Sequence, residues 1–190
     1  MSKVAFMGDS ITAYMPYVFK GTVGDVTDEV KYFGIENVGV GTYMNYYWPR
    51  VEQKGIDVYI LLIGTNNISR PDCDYDKRES LDDLVDKLKL FISKISNSGN
   101  SKLFVQSLYP TKCAERVDSI KIVNEQLRDY CLDMGVEYLD MYQLLADDND
   151  LFDDRYTDDG IHPNESGYSV VVEAINKELT KGKKVRKMLR

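Results

Sequence analysis

At 190 residues and a formal net charge of -7, the chain is long enough for one domain with a substantial core and short for two. Its acidity argues against general nucleic-acid binding. Cys73, Cys113 and Cys131 are an odd set without a Cys-x-x-Cys pair, so they read as free thiols and exclude a disulfide frame or a zinc site.

No linker, repeat or low-complexity run divides the sequence. Residues 1–180 read as a single α/β domain, followed by a tail at 181–190 with six basic residues and no acid. That tail reads as a solvated or frayed helix end in preference to a membrane or nucleic-acid contact. Met1 leads directly into a strand without a charged-then-apolar leader, and no apolar run approaches bilayer length, so a cytoplasmic protein is expected.

In chain order, a first strand at 3–7 breaks at Gly8-Asp9-Ser10 and passes into a helix or irregular segment that Pro16 is expected to interrupt. A second strand at 30–38 ends in Asn37-Val38-Gly39. The aromatic segment 43–53 follows, with Tyr46, Tyr47 and Trp48 in a row and Pro49 limiting its regularity. Residues 57–63, Asp-Val-Tyr-Ile-Leu-Leu-Ile, are the most apolar run and suit the middle of a parallel sheet covered on both sides. That strand stops at Gly64-Thr65-Asn66-Asn67.

A polar loop through Arg70 leads to a helix near 78–96. There Leu81, Leu84, Val85, Leu88, Phe91, Ile92 and Ile95 recur at helical spacing. A strand at 102–108, a helix at 115–134, a strand at 136–139 and an acidic turn at 147–154 come next. The loop Asp158-Asp159-Gly160-Ile161-His162-Pro163-Asn164 then leads into a last helix at 165–179, with Pro163 expected in its first turn. Five parallel strands alternating with helices predict a three-layer α/β/α sandwich with a flavodoxin-like sheet.

In such a sheet, groups just past the strands' carboxyl ends share one rim. Ser10, Gly39, Asn66, and Asp159 with His162 all fall there. Acyl transfer needs a nucleophile, a base, a group that fixes the base, and donors for the oxyanion. Ser10 reads either as a helix cap or as the nucleophile. His162, the one histidine in the chain, is then the base, and Asp159 lies three residues before it, within reach of its Nδ1–H. Gly39 reads as a turn glycine with positive φ, as an N–H donor open to a carbonyl oxygen, or as both. Asn66 reads as a strand-ending Asx-turn or as a side-chain donor.

Gly8-Asp9-Ser10, Asn37-x-Gly39, Gly64-x-Asn66 and Asp159-x-x-His162 together resemble the four sequence blocks of the GDSL (SGNH) hydrolases, in that family's order and inside its Gly-Ile-His-Pro setting. The resemblance implies the SGNH hydrolase fold and a serine esterase or acylhydrolase with a Ser10–His162–Asp159 triad. It also implies an oxyanion hole from the N–H groups of Ser10 and Gly39 and the side chain of Asn66. The third block commonly reads Gly-x-Asn-Asp, whereas this chain has Asn67 at the last position. That change is expected to alter hydrogen bonding around Asn66 without abolishing chemistry. Asp9 is expected to be structural.

No metal or organic cofactor is required by such a reaction, and activity is expected to fall as acid protonates His162. Without a long apolar insertion, a small acyl group such as acetyl on a soluble or carbohydrate partner is favoured over bulk lipid. Tyr43, Tyr46, Tyr47 and Trp48 read either as a sugar-stacking platform or as core packing. Asn67 and Arg70 are further candidates for substrate contact, Arg70 reading either as a contact for an anionic group or as a solvated loop position. Two other functions stay open. One is an acyltransferase using the same serine. The other is a non-enzymatic flavodoxin-like module cradling a phosphate or flavin after the first strand.

Overall fold

The protein, represented by a computed structural model, is described at residues 3–24, 29–68 and 80–188, with side chains to residue 181. Its elements are β1 (Lys3–Gly8), α1 (Ser10–Val18), β2 (Glu29–Gly34), α2 (Val40–Thr42), a wide π-type turn (Tyr43–Tyr47), α3 (Trp48–Glu52), β3 (Val58–Leu62) and a 3-10 turn (Thr65–Asn67). Then come α4 (Leu81–Ser96), β4 (Lys102–Gln106), a 3-10 turn (Ala114–Arg116) running into α5 (Val117–Met134), β5 (Glu137–Leu139), α6 (Tyr142–Leu145) and α7 (Glu165–Met188).

The strands form one parallel sheet in the order β2-β1-β3-β4-β5. Strand β3 lies at its centre, where Tyr59 through Leu62 are buried, as a continuous apolar run covered on both faces requires. Edge strand β2 instead carries Glu29 and Lys31, half-buried and paired at 3.0 Å. Such charges blunt an exposed edge. Helix α7 packs with α1 and α6, while α4 packs with α2 and α5, giving the two helical layers. The α4 stripe Leu84, Val85, Leu88, Phe91, Ile92 and Ile95 is buried, and Ser80 caps the helix by accepting from the Asp83 N–H at 3.1 Å.

With this strand order the chain reverses its winding between β1 and β3, so the segments leaving those two strands diverge and open a crevice. Two glycines allow α1 to sit close over the strand ends. A Cβ on Gly8 would lie 1.8 Å from the Leu62 carbonyl oxygen, and one on Gly34 would lie 2.1 Å from the Ala13 backbone nitrogen. No side chain fits either place, which fixes where Ser10 begins its helix.

Several expectations need correction. Pro16 does not interrupt the first helix. It sits in the last turn of α1, where only the bond to the Thr12 carbonyl is lost before the chain extends at Phe19. Strand β2 stops at Gly34, earlier than residue 38, and the chain then turns through Asn37 in the left-handed region (φ 56). The aromatic segment is helical through the π-type turn, with Pro49 accommodated in the first turn of α3.

Pro163 precedes helix α7 instead of opening it. The Asn164 side chain caps that helix by accepting from the Gly167 N–H at 3.1 Å, and Tyr168 N–H bonds the Asn164 carbonyl at 3.0 Å. Helix α7 continues past residue 179 to Met188, into the segment read as a basic tail. Asn164→Ala is expected to lower stability by about 1 kcal/mol, the usual effect of losing an N-cap, measurable by urea unfolding. An unchanged midpoint would remove the cap from the account of α7.

Candidate active site

Asp9, not Ser10, caps α1. Its backbone is extended and its Oδ1 accepts from the Ile11 N–H at 3.1 Å, while the Asp9 carbonyl accepts the first helical bond from Ala13 at 3.0 Å. Ser10 is therefore the first helical residue, and its hydroxyl is left over for another partner. That partner is His162, with Ser10 Oγ and His162 Nε2 2.9 Å apart. On the other side of the ring, His162 Nδ1 lies 2.6 Å from Asp159 Oδ2. An Nδ1–H donated to Asp159 leaves the Nε2 lone pair facing the serine proton.

The loop holding His162 is tied by its own residues. Asp159 Oδ1 accepts from the backbone N–H groups of Ile161 at 2.9 Å and His162 at 2.7 Å. Thr157 Oγ1 accepts from Gly160 N–H at 2.9 Å and donates to the His162 carbonyl at 2.8 Å. Gly160 turns with φ 80, and its carbonyl accepts from Lys112 N–H at 2.9 Å. Burial pushes the Asp159 carboxyl up, but the N–H groups of His162 and Ile161 and the imidazole outweigh it and hold it below the usual range. Asp159 is thus an anion across the neutral range.

Across the crevice, two asparagines join the turn after β3 to the segment after β2. Asn66 Nδ2 donates to the Val38 carbonyl at 3.1 Å, and Asn67 Oδ1 accepts from the Val40 N–H at 3.0 Å. An aspartate at position 67 would accept the same bond, so this departure from the common block keeps the contact and removes a charge. Gly39 has φ -94 and does not need the left-handed region. Its lack of a side chain is instead steric, because a Cβ there would meet the Asn67 amide at 3.0 Å.

The structure takes Tyr43 and Trp48 out of the substrate-contact set. Both are wholly buried. Tyr43 donates its hydroxyl to the Phe33 carbonyl at 2.5 Å, and Trp48 packs edge-on against Tyr59 and Phe91. The wide turn rotates these rings inward and leaves Tyr46 exposed and Tyr47 half-buried. Arg70 and Cys73 lie outside the described residues. Cys113 and Cys131 carry no disulfide, and burial raises the Cys131 thiol to about 12.

Two residues that the sequence reading passed over, Tyr14 and Arg116, take part in the site, and Asp9 has the structural place expected of it. Tyr14 lies one turn after Ser10 on α1, and its ring tilts against the His162 ring with centroids 4.9 Å apart. The spacing from Ser10 to Tyr14 was the available signal. Arg116 is buried and donates Nη2 to the Thr65 carbonyl and, at 3.4 Å, to that of Ile68. It thereby braces the turn that presents Asn66, and no local pattern marks it. Asp9 is buried behind the serine. Desolvation drives its carboxyl up to about 6, against the opposing pull of Ile11 N–H and His162.

A parallel sheet bearing a serine, an imidazole and a carboxylate in hydrogen-bonding sequence on its carboxyl rim defines the α/β proteins built around an activated serine. The chain belongs to the GDSL-like lipase/acylhydrolase family, whose sequence profile matches residues 6–170. It is 25% identical over 206 aligned positions to an acetylxylan esterase of Xylanibacter ruminicola, covering 91% of this chain. The chain spans only 42% of that relative's length.

A GDSL-like lipase from Bacteroides thetaiotaomicron has the same fold. The TM-score is 0.76 at 20% identity, over 95% of this chain and 89% of the other. An acetylxylan esterase from Geobacillus stearothermophilus also shares it, with a TM-score of 0.72 at 16% identity over 93% of each chain. Among the described residues, no helix is long and apolar enough to cross a membrane.

Proposed function

We propose that the protein is a serine hydrolase of carboxylic esters, acting on a short acyl group, acetyl in the first instance, carried by a carbohydrate or other small soluble alcohol. The observation that carries the reading is the unbroken contact from Ser10 Oγ through His162 to Asp159. The acetylxylan esterase relatives support the choice of acetyl and of a carbohydrate partner.

Ser10 Oγ attacks the ester carbonyl carbon while His162 Nε2 takes its proton, and Asp159 stabilises the imidazolium that results. The negative charge that develops on the carbonyl oxygen is met by the N–H groups of Ser10 and Gly39 and by the Asn66 amide proton not committed to Val38. Collapse of the tetrahedral species expels the alcohol, which leaves with the proton held on His162. A water then attacks the acyl-serine, His162 takes its proton in turn, and the acid departs as Ser10 recovers its hydrogen.

The similarity to an acetylxylan esterase favours hydrolysis over transfer. A phosphate or flavin module is disfavoured by Asp9, whose carboxylate already occupies the N-terminal position of α1 that an anion would take.

The test is product analysis with an acetylated xylo-oligosaccharide in the presence of excess free sugar. Free acetate as the main product is the expected outcome. Acetyl recovered mainly on the added sugar would make the protein a transferase.

A further inference from the structure

A groove of about 880 Å³ runs along the open edge of the molecule between α1 and β2, in the size range of small-molecule sites. Tyr14, Pro16 and Tyr17 line it from α1, and Tyr32, Ile35 and Glu36 line it from β2 and the turn beyond. Its inner end is the serine site itself, since Tyr14 is the residue whose ring lies against His162. Its floor is fixed, with Tyr32 stacked on the buried Phe6 ring at 5.3 Å and 15°. Its outer lip is Tyr17, which is 76% exposed.

The chemistry of the lining selects among ligands. Flat aromatic faces take up the C–H face of a sugar ring. Glu36 is exposed at the same groove, where its carboxylate accepts from the Tyr14 hydroxyl and keeps further lone pairs for sugar hydroxyls. An acyl chain would cover the remaining lone pairs of that carboxylate without giving them a donor, an unfavourable exchange. An anionic ligand would meet Glu36 together with a chain whose net charge is -7.

We propose that this groove is the subsite for the alcohol part of the ester, binding an uncharged sugar unit next to the acylated one, with Tyr17 as its stacking platform and Glu36 as its hydroxyl acceptor. The proposal rests on the ester-hydrolase reading and puts sugar recognition on α1, away from the aromatic run after β2 where the sequence directs attention. The substrate then enters with its acyl group under Asn66 and Gly39 and its sugar along α1, and the leaving alcohol departs past Tyr14.

Binding can be measured without turnover. Ser10→Ala protein titrated calorimetrically with xylotriose is expected to bind saturably. Adding Tyr17→Ala should weaken that affinity about tenfold, whereas adding Tyr17→Phe, which keeps the ring, should retain it. Glu36→Ala in the Ser10→Ala background is expected to weaken it as well. In the otherwise unchanged enzyme, Tyr17→Ala should lower the ratio of kcat/KM on acetylated xylotriose to that on phenyl acetate by at least about fivefold.

Equal xylotriose affinity with and without the Tyr17 ring, or an equal loss on both esters, would overturn the proposal. A selective loss on a p-nitrophenyl octanoate substrate would do so too, because it would make the groove an acyl-chain site. Failure of the underlying reading looks different. Wild-type protein would then hydrolyse neither phenyl acetate nor acetylated xylotriose, whatever the Ser10→Ala protein binds.

Discussion

Ser10→Ala protein is expected to fold as the parent does and to lose turnover of an aryl acetate by about 10⁴-fold or more, the scale on which loss of a nucleophile acts in triad enzymes. Both halves of this result follow from the division of labour at the start of α1. The helix cap is Asp9, whose carboxylate holds the Ile11 N–H, and Ser10 makes its hydrogen bond to His162 instead. Removing the hydroxyl therefore removes the attacking atom and leaves the cap in place. Were Ser10 the cap, the variant would lose about 1 kcal/mol of stability while its activity fell for indirect reasons. Steady-state kinetics and thermal unfolding of the same sample separate these cases. Full activity in the variant would remove the nucleophile assignment.

The second large effect concerns stability and its dependence on pH. Asp9 is buried, and desolvation drives its carboxyl from the ordinary 3.8 to about 6 in the folded protein. Between about pH 4 and about pH 6 the folded state holds a proton that the unfolded chain has released, so stability falls as pH rises through that window. Above it both states are ionised and the loss levels off. A shift of about two units at 1.36 kcal/mol each corresponds to about 3 kcal/mol.

Asn at this position keeps a side-chain oxygen for the Ile11 N–H and carries no charge. Asp9→Asn is therefore expected to match the parent near pH 4 and to exceed it by about 3 kcal/mol above pH 6. For a chain of this size that is a rise of roughly 6–12 °C in the unfolding temperature. Calorimetry at pH 4 and pH 8 checks it. A difference between the two proteins that stays constant with pH would show that Asp9 is not held in the buried, protonatable state described. The charges of His162 and Arg116 oppose the upward shift and limit the loss of stability at neutral pH.

What could be read from residues alone, and what could not, divides along physical lines. The inner strands are short apolar runs whose burial the sheet must provide, so Val58–Leu62 and Lys102–Gln106 stand out without help from the rest of the chain. Residue type and position past the strand ends brought Ser10, His162 and Asp159 to one rim, and the coordinates place them in contact. The same logic failed for Tyr43 and Trp48, because the direction of each ring is set by the α2, π-type and α3 backbone of that segment, which residue type does not reveal. It also failed for Pro163, where the better capping side chain of the next residue, Asn164, set the helix start.

Ser10 was the cap candidate, and only the backbone conformation shows that the preceding Asp9, an equally good capping residue type, fills that place. Arg116 was invisible for a different reason. Its partners are backbone carbonyls of Thr65 and Ile68, which belong to every sequence and mark none. The aromatic surface beside the site was sought in the densest aromatic run. The exposed ring that borders His162's neighbour is instead Tyr17, on the helix that starts with the serine.

Ester hydrolysis by this site requires Ser10 Oγ to be the atom that becomes acylated, with His162 drawing off its proton. The most direct measurement is active-site labelling with a p-nitrophenyl alkylphosphonate followed by peptide mass spectrometry. One adduct per chain is expected, on the peptide containing Ser10, absent from Ser10→Ala protein and formed far more slowly in His162→Ala protein. An adduct of equal yield in Ser10→Ala protein, or one carried by any other residue of the wild type, would contradict it.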